Sequence, residues 1–71
     1  MANHRGYITV YEPLKGIGFI RRDRGKDVFL HYSNLDCPEE SIIPGAYVTF
    51  ELKDTPKGPR AEKIQVIGSI D

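Results

Sequence analysis

Cysteine is nearly missing from this chain. Cys37 is the one thiol in 71 residues, so no disulfide can form within it. The same scarcity excludes a zinc finger, because only His4 and His31 could join Cys37 as nitrogen ligands. Tryptophan is absent, and so is net charge, since 10 Lys and Arg are balanced by 10 Asp and Glu. Neutrality argues against tight, sequence-independent binding to duplex DNA, which calls for a broad positive surface. No apolar run approaches the ~18 residues of a membrane-spanning helix. The start, Met1-Ala2-Asn3-His4-Arg5, lacks the apolar stretch of a secretory signal. A reduced, cytoplasmic setting is therefore expected. With 39% hydrophobic residues, residues 1–71 can fill one small core and not two. A chain this short buries only about 60% of the surface its unfolded form exposes. Its stability is expected to be a few kcal/mol, on the order of 5 or below.

What is present is a rhythm of short apolar and β-branched runs broken by Gly, Pro, Asp and Asn, the pattern of an all-β domain. Five runs qualify as strands: Tyr7–Tyr11, Gly18–Ile20, Val28–Tyr32, Ala46–Leu52 and Arg60–Val66. Between the third and fourth lies a longer polar stretch, Ser33 to Ser41, in which Pro38-Glu39-Glu40-Ser41 could make one helical turn. No other segment has a 3.6-residue apolar period of useful length. Closing five short strands into a barrel removes exposed sheet edges and makes one interior.

Alternation assigns the faces. Ile20, Val28 and Leu30 make the natural core, which leaves Phe19, Phe29 and His31 outside on adjoining strands. Side-by-side exposed rings on a small barrel require explanation: they pack under a loop or against a second subunit, or they form a stacking platform. Nucleobases have π-faces, so such rings can hold a single strand with little sequence preference, at about 1–3 kcal/mol per stacked base. Charge is segregated along the chain. Residues 1–32 carry six Lys and Arg against three acids, residues 33–56 carry one against five, and residues 57–71 carry three against two. Lys15, Arg21, Arg22, Arg24 and Lys26 flank the ring-bearing strands. A locally positive groove is compatible with a neutral total.

The run Lys15-Gly16-Ile17-Gly18-Phe19-Ile20 resembles the first ribonucleoprotein motif of cold-shock domains, and Val28-Phe29-Leu30-His31-Tyr32 resembles the second. Lys57-Gly58-Pro59-Arg60-Ala61 is similar to the family's Lys/Arg-Gly-Pro-x-Ala segment, and Gly6-Tyr7-Ile8 sits where the family opens its first strand. The resemblance covers about residues 5–66 in the family's order. It implies a five-stranded antiparallel barrel of the OB type that binds single-stranded RNA or DNA, acting as an RNA chaperone or as a regulator of transcription or translation. It implies no metal and no cofactor. By the same resemblance Phe19, Phe29, His31 and Tyr32 are stacking positions, and Tyr11 matches a family Phe near them. Lys15, Asp27 and Lys57 match phosphate or polar contact positions, and Arg60 joins them from the same segment as Lys57. The departures are equally plain. Val10 stands at the family's usual Trp, Ile17 at an aromatic between the two motif glycines, and Cys37–Ser41 supplies no ring for a further position. Val10 and Ile17 would keep apolar contact only, so weaker binding than a typical member is expected.

Other chemistry fares less well. His31 and Ser33 are two residues apart, but no third group in the sequence is placed to orient the imidazole, and a packed small barrel has little room for a substrate pocket. Gly16-Ile17-Gly18 lacks the third Gly and the following helix of a phosphate loop; its glycines suit a turn, a bulge or close strand approach. A monomer is expected, with strand or domain exchange through the Ser33–Pro44 loop as the route to a dimer. The alternative function is a small-barrel protein-interaction module, in which the Phe19/Phe29 patch and the acidic Asp36–Glu40 segment would meet a partner protein.

Overall fold

The computed structural model describes residues 4–68. Every run read as a strand becomes one: β1 (His4–Glu12), β2 (Ile17–Arg21), β3 (Val28–His31), β4 (Tyr47–Thr55) and β5 (Gly58–Gly68). β1 and β5 run past their apolar stretches because main-chain pairing continues beyond the last buried side chain. His4 still pairs with Phe50, and Gly68 with Tyr47. β3 stops at His31, one residue short of the expectation, and Tyr32 opens a 3-10 turn over Tyr32–Asn34.

The strands close in the order β1-β2-β3-β5-β4, with β4 returning to β1. The expected all-antiparallel barrel needs correction at one seam, because β3 and β5 pair in parallel, with Phe29 opposite Arg60. The reason is topological. Five is odd, and a closed ring of strands that strictly alternate up and down needs an even number. The parallel pair falls where it can, between strands separated by β4 and the long Ser33–Pro44 connection, since parallel neighbours need a crossover and not a hairpin.

The interior is filled from all five strands. Ile8, Ile20, Val28, Leu30, Val48, Phe50, Ala61 and Ile64 are fully buried, and Ile42 and Ala46 plug the end nearest the long connection. Three register shifts interrupt the ladders, one of them at Ile67 between the Tyr47–Gly68 and Val48–Val66 pairs, and the other two set which residues reach the core. At Thr9 the β1–β2 register shifts between Ile8 and Val10, which keeps Ile8 inside and turns Val10 out. In β5, Lys63 and Ile64 together oppose Phe50 of β4, and Lys63 takes the left-handed conformation at φ 52° that lets Ile64 reach the core. The residues read as one helical turn form a 3-10 turn, Glu39–Ser41, which Pro38 precedes in an extended conformation. That turn is fastened to the barrel. The Tyr11 hydroxyl donates to Glu39 Oε2 at 2.6 Å, and Ile42 enters the core directly after it. Among the described residues no helix is long and apolar enough to cross a membrane.

At Gly18 the main chains of β1 and β2 leave no room for a side chain. A Cβ there would run into the main-chain carbonyl oxygen of Val10, with the Tyr11 ring 3.0 Å away. Because the obstacle is backbone, it cannot swing aside. Gly18→Ala is expected to lower stability by about 1–3 kcal/mol through overpacking, a large share of the total for a domain of this size. Urea unfolding of the variant should show a lower midpoint with an unchanged m-value; an unshifted midpoint would mean the strands can part there without cost.

Burial and then the bond to Glu39 push the Tyr11 phenol up from its ordinary 10.0 to about 12. The fold thus favours the neutral phenol. Its contribution is fully present below pH ~10 and is lost as pH rises through about 12. An absorbance titration should show one of the four tyrosines ionising last, and Tyr11→Phe should delete that step. Four phenols titrating together near pH ~10 would rule out the clasp.

Candidate nucleic-acid interface

β2 and β3 lie antiparallel with Ile17 opposite His31, Phe19 opposite Phe29 and Ile20 opposite Val28. Since Gly18, Ile20, Val28 and Leu30 point into the core, Ile17, Phe19, Phe29 and His31 must face out. The rings form one continuous chain of contacts. Phe19 and Phe29 meet edge to face at 6.0 Å and 71°, and Phe29 and His31 lie 6.4 Å apart at 28°. His31 and Tyr32 follow at 4.6 Å and 37°. Offset and tilted contacts of this kind leave ring faces uncovered. Phe19 is 40% exposed and Tyr32 55%. Val10 sits beside Phe19 in the β1 register, 44% exposed, while Ile17 is half-buried.

Tyr32 has left the strand, yet its ring is held in the row by Gly16. The glycine adopts φ 68° in the turn after β1, and a Cβ on it would strike the Tyr32 ring. The Tyr32 N–H donates to the Gly16 carbonyl at 2.9 Å. Gly16 is thus a turn residue and a ring seat, and the bulge lies in β1 instead. His31 caps the 3-10 turn. Its Nδ1 accepts from the Ser33 N–H at 3.3 Å, with the Ser33 hydroxyl 2.8 Å from the same nitrogen. A main-chain donor needs a lone pair on Nδ1, so the neutral ring carries its proton on Nε2. The His31–Ser33 pair is accounted for by this cap.

Beside Phe19 and Phe29 runs a groove of about 630 Å³, with Lys26, Asp27, Lys57 and Arg60 along its sides. Arg60 stands opposite Phe29 in the parallel pair and donates from one terminal nitrogen to Glu62 at 2.8 Å. Among the described residues its buried Nε finds no acceptor. Glu62 also lies 3.9 Å from Lys53, so this end of the groove carries less positive charge than its cations suggest. Asp27 is engaged too. It accepts from Arg21 at 3.5 Å and holds that guanidinium above its ordinary proton affinity, although exposed pairs of this kind add little stability. Arg22 folds back to donate to the Lys26 carbonyl at 3.0 Å, around Gly25 at φ 90°. Lys15 stands at the other end of the ring row, in a shallow hollow with Leu14 and Tyr32.

The structure therefore brings together Phe19, Phe29, His31, Tyr32, Val10 and Ile17, with Lys57, Arg60 and Asp27 on one flank and Lys15 at the far end. It sets Tyr11 apart. That ring packs against the core and over Gly18, and its hydroxyl is taken by Glu39. Val10 and Tyr11 are consecutive in a strand, so only one of them can face the rings. Lys26, expected as one of the cations flanking the ring-bearing strands, becomes a wall of the groove, whereas Glu62 as the counter-charge of Arg60 escaped the sequence reading. Lys26 is brought in by the β2–β3 loop, and Glu62 by side-chain reach within β5, which leaves no local pattern. Among the described residues no three His, Cys, Asp or Glu side chains group as metal ligands.

Comparison with known proteins agrees with this arrangement. The family model of the 'Cold-shock' DNA-binding domain matches residues 4–67. The chain is 41% identical over 64 residues to the retron Se72 cold shock-like protein of Salmonella heidelberg, covering 87% of this chain and 96% of that one. It is 36% identical over 64 residues to a cold shock-like protein of Thermotoga maritima, covering 89% and 97%. It is also 36% identical over 69 residues to the cold shock-like protein CspC of Escherichia coli, covering 94% of this chain and all of that one. With two motifs, the closed five-stranded barrel and a match spanning nearly its whole length, the chain belongs to the cold-shock domain family.

Proposed function

We propose that this protein binds single-stranded RNA or DNA with low sequence specificity, as a binding module and not as an enzyme. The observation that carries the reading is the unbroken row Phe19–Phe29–His31–Tyr32 on the outside of the barrel. Bases stack on the uncovered ring faces, and Lys15, Lys26 and Lys57 meet phosphates. Val10 and Ile17 provide apolar contact. Stacking recognises a π-face and not a base edge, so discrimination among sequences is small, while a paired and stacked duplex offers nothing to the rings. A chain that holds opened strands apart in this way suits the work of an RNA chaperone or of a regulator of transcription or translation.

The test is anisotropy with a labelled oligothymidine and a labelled duplex, the label being necessary because the chain has no tryptophan. Single-strand binding is expected with Kd of about micromolar at ~150 mM salt, and much weaker duplex binding. Replacing Phe19 and Phe29 together by Ala removes two stacks and should weaken binding by roughly thirtyfold or more. With about three phosphates neutralised, log K against log salt should fall with a slope near −2. An absent single-strand signal, or a flat salt response, would favour the protein-interaction module instead.

Val10 offers a gain-of-function test. It is exposed beside Phe19, so Val10→Trp adds a ring to the row without disturbing the core. Affinity for oligothymidine should rise by roughly fivefold or more. An unchanged Kd would show that bases do not pass over the β1 side of Phe19.

A further inference from the structure

The outer face carries a second aromatic pair that the ring row does not use. Tyr7 of β1 and Tyr47 of β4 are paired in register, their rings edge to face at 6.2 Å and 71°. Both are exposed, at 36% and 43%, and Ile67 of β5 lies exposed next to them. With Arg5, Arg21 and Asp23 they surround a shallow hollow of about 280 Å³. None of these three apolar side chains contributes to the core.

The position of the pair is set by register. The outward side chains of β1, β2 and β3 fall into rows across the sheet. One row is Glu12, Ile17 and His31; the next is Val10, Phe19 and Phe29; the next is Tyr7 and Arg21, which Tyr47 extends onto β4. Phe19 and Arg21 are two positions apart on β2 and both point out, so the last two rows lie about 7 Å apart. The tyrosine pair is therefore continuous with the ring row. Arg21 stands at the junction, with its guanidinium tethered by Asp27 at 3.5 Å. Arg5 makes no ion pair among the described residues, whereas Asp23 on the rim disfavours a phosphate directly over it.

We propose that Tyr7 and Tyr47, with Arg5 and Arg21, form an additional single-strand subsite that extends the footprint beyond Phe19. A base leaving the Val10–Phe19 row would stack on the uncovered face of Tyr7 or Tyr47, and its phosphate would fall to Arg5. Ile67 supplies apolar contact at the far rim. The proposal rests on the single-strand reading above, and predicts that binding strengthens with strand length beyond what the Phe19–Tyr32 row can occupy.

A ladder of labelled oligothymidines from about four to about ten nucleotides tests it. The variant carries Tyr7→Ala and Tyr47→Ala, with a second variant, Tyr7→Leu and Tyr47→Leu, that keeps apolar cover while removing the rings. Both substituted positions are outside the core, and circular dichroism with a thermal melt checks the fold of each. Wild type and both variants should bind the shortest strand equally, within about twofold. For the longest strand the variants should lose about tenfold, so that their affinity stops rising where that of the wild type continues. Equal affinities at every length, with binding still lost in the Phe19→Ala, Phe29→Ala variant, would overturn the subsite and leave the ring row standing. No binding of any strand by wild type would instead mean that the underlying reading is wrong. Sedimentation equilibrium covers the remaining occupant: a wild-type dimer that both tyrosine variants abolish would assign the patch to a second copy of the chain and overturn the proposal.

Discussion

The packing of Ile20 against Val28 and Leu30 decides what the outside of this barrel looks like. All three are fully buried. Truncating any one of them to alanine would cost about 2–5 kcal/mol, as much as the whole stability expected for a domain of this size. Phe19 shares its face with Arg21 and Phe29 with His31, so turning those rings inward would bury a guanidinium and an imidazole as well. The aliphatic residues therefore take the interior, and alternation leaves Phe19, Phe29 and His31 no other place. The ring-bearing face is in this sense a by-product of the core, and its rings are aligned by the ladder beneath them.

Two glycines convert that alignment into a usable surface. Gly18 lets β1 approach β2 so closely that Val10 comes to lie beside Phe19. Gly16 lets the chain turn in a left-handed conformation and opens the space that the Tyr32 ring occupies, which lengthens the row past the end of β3. At the same end of β1 the Tyr11–Glu39 bond ties down the long connection, so that Ile42 stays in the core. Each of these is a local contact with a remote consequence for how many rings face solvent together.

The faces of β2 and β3 were legible in the sequence because both strands alternate without interruption. The phase of β1 was not, since the bulge at Thr9 inserts a residue and no apolar pattern announces it. That is why Tyr11, placed near the rings by family likeness, lies on the inner side. The parallel seam between β3 and β5 was also hidden from local patterns, although the parity of five strands in a ring already required one such pair. Charge was the least legible layer. Arg21, Arg22 and Arg60 read as a positive rim, but Asp27, a loop carbonyl and Glu62 each hold one of them. Such pairings depend on side-chain reach across loops and ladders, which sequence spacing does not report.

Those pairings change the balance of forces in binding. With its arginines partly neutralised and no net charge, the chain has little long-range attraction for a polyanion. On the proposed single-strand reading, affinity would come mostly from stacking, a short-range term that exists only after bases are unstacked from one another. On that reading duplexes would be disfavoured because they lack free π-faces, and because Arg21 and Arg60 are already engaged by Asp27 and Glu62. The proposed selectivity for single strands would thus follow from what this surface withholds as much as from what it offers. The strand would then be released readily, because each proposed stack is worth only about 1–3 kcal/mol and no strong electrostatic term would keep the strand nearby once the stacks are lost.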